Sequence, residues 1–384
     1  MNELATAPAL ENTEFLPAVK RLDKDLRKAS RTLDRAEARY MVKTYYQIQE
    51  IRKASDNQQK ALEKSGKPHE TLAWLFAQQE TLELQIKAAL MAWTDSNPIS
   101  AWAKSIVGIG PVIAAGLAAH IDINKAQTAG HIWRFAGLVE GQQWLGKAKA
   151  DAVVSKLLTD GQTLPQIIET VSQQMGCRAE TLLKWATTGK DGKVHKLTQE
   201  SVRRACARRP WNDGLRTLCW KIGESFMKVS NRDGDFYGQI YKQRKALEIA
   251  RNDSGQLSDQ AVKKLDKFNI GKTTDAWPWY AGCYPAGTTA MWSALIDEDE
   301  RRKFLDSVRR KAGEGQKMLS PGHIQSRAKR YAVKFFLSHY QHVAFVMEFG
   351  KMPPKPFVIE HLGHVDLINP PNFDATQWLK PQAI

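Results

Sequence analysis

Hydrophobic positions in this chain recur mostly three and four residues apart, the spacing of one face of an α-helix. Between residues 15 and 94 they run Tyr40, Val42, Tyr45, Ile48 and Ile51, then Leu72, Leu75, Phe76, Leu82 and Leu84. Polar and charged residues fill the gaps, and the main break is Gly66-Lys67-Pro68. That pattern predicts a long antiparallel helical pair, coiled-coil-like, with an apolar stripe left for a partner. Helical spacing resumes after Asn97-Pro98 and continues to about Gly141. It returns in residues 151–209, in the helix following Pro210, and in a last long run that Gly350, Pro353 and Pro354 bring to an end. Residues 275–297, rich in Trp, Tyr, Pro and Gly, read as an aromatic loop, and the tail reads as extended. Strand alternation is scarce. The expected fold is mainly α. A helical hairpin spans residues 1–97, a helix-hairpin-helix segment 98–150, and a helical insertion 151–209. A helical continuation with basic helices covers 210–350, and a tail covers 351–384.

One short stretch inside this frame has chemistry of its own. From Ile99 to Ile121 the chain reads as helix, tight turn, helix, with Ile99, Trp102 and Ile106 on one apolar face and Ala114, Leu117 and Ala118 on the next. Gly108 and Gly110 flank Ile109 and permit turn dihedrals closed to other residues. Pro111 suits the first turn of the second helix, where its missing N–H costs nothing. The unpaired N–H groups of that turn point outward at the positive end of a helix, where a phosphate oxygen binds without a side chain. Lys104, one turn upstream, adds charge. The alternative is a plain structural corner.

Charge sharpens the picture. The 384 residues carry a net charge of +15, yet residues 1–95 hold 15 Lys/Arg against 14 Asp/Glu, so nearly all the excess follows Asp95. Lys193–Lys221 carries eight basic residues against two acidic, and Arg301–Lys334 eleven against two. Clustered positive charge calls for a polyanion. Arg203, Arg204, Arg208 and Arg209 are placed to bind phosphates. Arg327, Arg330 and Lys334 repeat at helical spacing as one basic face of the last long helix. Arg134, Lys147 and Lys149 add to the basic surface between the hairpin and the insertion.

The string GIGPVIAAGLAAHIDINKAQTAGHIWRFAGLV, residues 108–139, resembles the hairpin-bearing transposase domain of the insertion-sequence one-ten group, the DEDD transposases, some of them guided by a bridge RNA. Gly108-Ile109-Gly110-Pro111, Ala114, Leu117, Asp122 and Arg134–Leu138 carry the match, and WNDGLRTLCWKIGESF is similar to the helix that follows in that family. The resemblance implies double-stranded DNA as partner and a structured guide RNA as a second one. The long apolar stripe with balanced charge in residues 20–94 predicts a homo-oligomer joined through the N-terminal helices. The family's nuclease domain, whose four carboxylates hold Mg²⁺, has no counterpart here, because residues 16–40 read as charged helix. The family also places a nucleophilic Ser shortly after the GL step; Glu140, Gln142 and Gln143 follow it here, and the next serine is Ser155. No catalytic residue is assigned. Ser225 reads as a helix serine. An active recombinase, completed by an unrecognised nucleophile or by a partner's nuclease domain, is the enzyme alternative. An RNA-binding component of a mobile-element complex is the other.

The remaining chemistry-bearing residues point elsewhere. His339 and His342, and His361 and His364, form two H-x-x-H pairs, but no cysteine or carboxylate completes a zinc spacing, so no metal or cofactor is expected. Cys177, Cys206, Cys219 and Cys283 are dispersed and read as reduced thiols of a cytoplasmic protein. No apolar run approaches a membrane span, and the N-terminus lacks a secretion pattern. The tryptophans of residues 275–292 cover the core in this reading, with base stacking the less favoured use.

Overall fold

The computed structural model describes residues 21–354 and 368–379, apart from Lys190 and Asn269. It contains seventeen α-helices and, among the described residues, no strand. Two isolated β-bridges, Thr188 with Val194 and Tyr284 with Gln316, complete the regular structure. The fold is mainly α, as the periodicity requires. The chain divides into two compact units, Met1–Asn97 and Pro98–Ile384.

In the first unit α1 (Lys24–Ala29) precedes a long antiparallel pair, α2 (Arg35–Lys64) and α3 (Glu70–Thr94). A capping box starts α2. Asp34 accepts from the N–H groups of Ala36 and Glu37, and Glu37 accepts from the N–H of Asp34 at 2.8 Å. Gly66, at φ +69°, makes the turn. The core is confined to the end far from that turn, where Ala38, Val42 and Tyr45 meet Ile86, Ala89, Leu90 and Trp93. There the indole N–H of Trp93 donates to the Leu33 carbonyl at 2.8 Å. Glu83 is buried between the helices. Burial alone would raise its pKa, but hydrogen bonds from Arg52 (2.6 Å), Gln49 (3.0 Å) and Tyr45 hold the carboxyl below its usual range. Much of the apolar stripe stays in solvent: Tyr40 is 68% exposed, Trp74 61%, Leu84 58% and Ile51 51%.

The second unit opens with α4 (Pro98–Lys104) and α5 (Pro111–His120), then α6 (Ala129–Phe135). Next come α7 (Gly146–Thr159), α8 (Leu164–Met175), α9 (Ala179–Thr187) and α10 (Gln199–Cys206), which enclose a core of their own around Val154, Ile167, Val171, Leu182 and Val202. The main bundle continues with α11 (Asp213–Val229), α12 (Phe236–Asp253) and α13 (Ser258–Phe268). The stretch expected as a loop instead holds two short helices, α14 (Trp277–Tyr280) and α15 (Thr288–Ala294), and α16 (Glu298–Val308) follows. Pro278 in the first turn of α14 needs no N–H partner there, which lets so short a helix form. Trp279 and Tyr284 lie buried with their rings 4.8 Å apart, so these aromatics do cover the core.

The axis of the unit is α17 (Pro321–Phe349), a 29-residue helix packed on α4, α6, α11 and α12. Pro321 opens it, and Gly350, left-handed at φ +63°, ends it. Its core face carries Phe336, stacked 5.9 Å from Trp102 and edge-on 5.5 Å from Phe226. Segment 368–379 returns to this bundle: Trp102 donates to the Pro371 carbonyl at 2.9 Å and Asn372 to the Ser105 carbonyl at 3.1 Å. The tail is not wholly extended, since Ala375–Gln377 forms a 3-10 turn. All four cysteines are free thiols. Burial pushes Cys206 and Cys219 up to about 12, so neither presents a thiolate at neutral pH. None of the described helices is long and apolar enough to cross a membrane.

Candidate nucleic-acid interface

The Gly-Ile-Gly turn is a tight hairpin between α4 and α5. Gly108 adopts φ +95°, and a Cβ there would stand 3.1 Å from Ser225 Oγ and 3.2 Å from Val229 Cγ2. Ser225 Oγ donates to the Gly108 carbonyl at 2.5 Å, so this serine fastens the turn to α11 and its role is structural. Ile109 is buried and anchors the loop, its N–H donating to the Ile106 carbonyl at 2.9 Å. Gly110 differs from its neighbour. It caps α5 at φ −91°, an ordinary dihedral, is exposed, and has open space where a Cβ would go. The first turn of α5 therefore opens toward solvent beside Gly110. The rest of α5 is buried, and Gly116 leaves room for Leu218 of α11, whose Cδ2 lies 2.7 Å from the Cβ position. Lys104 is half-buried at the end of α4.

The basic residues do not form one continuous face. Arg327, whose spacing placed it with Arg330 and Lys334, turns instead to Glu248 of α12 at 2.7 Å and to Gln260 at 2.7 Å. Glu248 is fully buried and also holds Arg244 and Arg251. Such a node fixes α12 against α17 and leaves Arg327 little freedom for a ligand. Arg203 likewise reaches inward, donating to the Asp151 carbonyl (2.8 Å) and Ser155 Oγ (2.9 Å). Arg134 donates to the Gly176 carbonyl at 3.1 Å and ties α6 to the α8 C-terminus. Arg204, Lys147 and Lys149 are exposed.

Arg330 and Lys334 behave otherwise. Arg330 touches solvent, yet its proton affinity is lowered, first by the surrounding protein and then by Arg216 and Arg327. Arg330 thus meets water while protein and like charge crowd it. Lys334 is lowered by burial and by Arg330, and Lys264 of α13 by burial, Arg330 and Lys267. His323, depressed to about 4 by burial first, also feels Lys264, Arg327 and Arg330. Glu140 is the carboxylate that opposes this field at Arg330 and Lys334. Cations gathered at mutual cost favour any anion that enters among them.

Around this cluster stands a set of paired cations and tryptophans. Lys334 Nζ sits 4.4 Å from the Trp133 ring, Arg216 4.3 Å from Trp211, Arg209 4.4 Å from Trp144, and Arg208 5.0 Å from Trp185. Lys221 Nζ lies 5.8 Å from Trp220. Hydrogen bonds to backbone carbonyls knit the segments together: the Arg216 guanidinium donates to Gly137, the Asn212 N–H to Phe135, and the Gln142 side-chain amide to Pro210. The Trp211 N–H is buried with no acceptor among the described residues. Spacing along the chain hid much of this layer, because Trp133 and Lys334, Trp144 and Arg209, and Trp185 and Arg208 come from segments far apart in sequence.

Of the histidine pairs, His339 is structural. His339 accepts from the Tyr237 hydroxyl at Nδ1 and donates from Nε2 to the Ile368 carbonyl, both at 2.8 Å, leaving no nitrogen for a metal. Burial holds it near 4, hence neutral. His361 and His364 lie outside the described residues. No group of three metal-ligating side chains occurs among those described. Comparison with known proteins returned no matching family model, curated protein or solved structure.

Proposed function

We propose that the Pro98–Ile384 unit binds nucleic acid, gripping the phosphate backbone of duplex DNA, and that the chain is related to the transposases its residues 108–139 resemble. The observation that carries this reading is the exposed Arg330, which bears the repulsion of Arg216 and Arg327 and itself acts on Lys334, with Glu140 the opposing carboxylate. Structural arginines normally pair with carboxylates, as Arg327 does with Glu248. Cations that mainly face other cations are held in readiness for an external anion. The open first turn of α5 supports the reading as a second contact point. A homo-oligomer through the first unit belongs to it, because Tyr40, Trp74 and Leu84 remain exposed on helices with balanced charge.

The test is equilibrium binding of a labelled duplex across a range of salt. Neutralising about six phosphates gives a log–log slope of roughly −5. Arg330→Gln and Lys334→Gln should each flatten that slope by about one unit without changing sequence preference. Salt-insensitive binding, or none, overturns the reading. Mg²⁺-dependent nicking of a plasmid by the chain alone would instead favour an active recombinase.

A further inference from the structure

We propose that Trp144 and Trp220, with Arg209 and Arg216 between them, stack the bases of an unpaired nucleic-acid strand beside the cation cluster. This inference rests on the nucleic-acid reading above and adds a substrate class to it. Three features carry it. First, the two rings are presented to solvent: Trp144 is 46% exposed and Trp220 63%, whereas Trp279 is 2% exposed. Leaving a large aromatic face in water forgoes the gain of burying it.

Second, the Trp144 ring is held rather than loose. Its N–H donates to the Ala207 carbonyl at 2.8 Å, and Arg209 lies over the ring at 4.4 Å. Asp213, paired with Arg209, secures the guanidinium in turn. A ring fixed in this way loses little entropy when a base stacks on it.

Third, the arrangement runs along one helix face. Asp213, Arg216 and Trp220 are three and four residues apart on α11, so they share a face, and about 10 Å of helix separates Asp213 from Trp220. Trp144 and Arg209 adjoin the start of that face through Asp213. A strand lying along it meets the Trp144 ring with Arg209 over one face, the Asp213 carboxylate that Arg209 neutralises, the Arg216 guanidinium, which also holds the Gly137 carbonyl, and the Trp220 ring. That alternation suits bases and phosphates together, because every base has a π-face and every nucleotide a negative charge. Paired bases in a duplex bury those faces against each other and cannot use the rings. Any cleft binding only phosphates would need the cations but not the exposed tryptophans.

The test uses the full chain and labelled oligo(dT) and oligo(U) strands of about fifteen nucleotides, alongside a duplex of the same length. Trp144→Leu and Trp220→Leu should each weaken strand binding about tenfold while leaving duplex binding within about twofold. Trp220→Phe should restore most of the loss, since any aromatic ring stacks. Thermal melts of each variant separate lost contact from lost fold. Equal preference for oligo(dT) and oligo(U) marks base stacking alone; a preference for oligo(U) adds recognition of the ribose hydroxyl. Duplex binding without strand binding overturns this inference and leaves the proposed function standing. Leucine variants that bind strands as well as the parent overturn it too, as does an equal loss on strand and duplex. Failure to bind either probe overturns both.

Discussion

Glu140 is the carboxylate that acts on Arg330 and Lys334, which makes it a sensitive residue. Replacing it by Gln removes an attraction that steadies Arg330 and Lys334 and also removes a repulsion toward any incoming phosphate. The second effect acts on binding, so Glu140→Gln should tighten duplex binding a few-fold at low salt, with the gain fading as salt rises. Direct titration of both proteins at two salt concentrations reads this; weaker binding by the variant would contradict it. His339 and His323 set a pH dependence of stability. Both are depressed to about 4 in the folded chain, against an ordinary value near 6.5. Between those values the unfolded chain binds more protons, so stability is full above about 6.5 and falls as pH drops toward 4. Each histidine contributes on the order of 1 kcal/mol per pH unit across that window. Urea titrations at pH 7 and pH 5 should show the loss, and His339→Gln should reduce the difference between them. Ser225→Ala removes the hydroxyl that holds Gly108 and should cost about 1 kcal/mol of stability.

At the scale of elements, the hairpin between α4 and α5 separates into two glycines with two different jobs. Gly108→Ala meets a left-handed backbone and the side chains of Ser225 and Val229, and should lose more than about 1 kcal/mol. Gly110→Val keeps an ordinary backbone dihedral and enters open space, so the protein should remain folded while access to the first turn of α5 narrows. A Gly110→Val protein that melts like the parent but binds duplex more weakly would establish the turn as a contact; undiminished binding would make it a corner only. Helix α17 was legible in the sequence from its periodicity and from Gly350, since those signals are local. The partners of its basic residues were not. Arg327 shares a helix face with Arg330 by spacing, but Glu248 on α12 draws it away, and only the packing of the two helices reveals that. Helices α14 and α15 leave no such signal for a related reason: four and seven residues are too few for a period to register.

On the scale of the whole molecule, the first unit is an under-buried hairpin and the second a bundle built on α17. Trp74→Glu and Leu84→Glu place charge on the exposed apolar surface of α3 and should turn an oligomer into a monomer at micromolar concentration, as read by sedimentation. Unchanged association would locate the contact elsewhere. Within the second unit, α5 runs antiparallel to α11: Gly108 touches Ser225 near one end of α11, while Gly214 at the other end leaves space for His120. The open turn of α5 and the cations around Arg216 therefore sit at opposite ends of one rigid rod, separated by about 14 Å. Consecutive phosphates along one strand of B-form DNA advance about 3.4 Å along the helix axis. The rod thus acts as a ruler of about four nucleotides. Ethylating single phosphates should interfere with binding at two places spaced by that interval, and lengthening α11 by one turn should move them apart by one or two nucleotides.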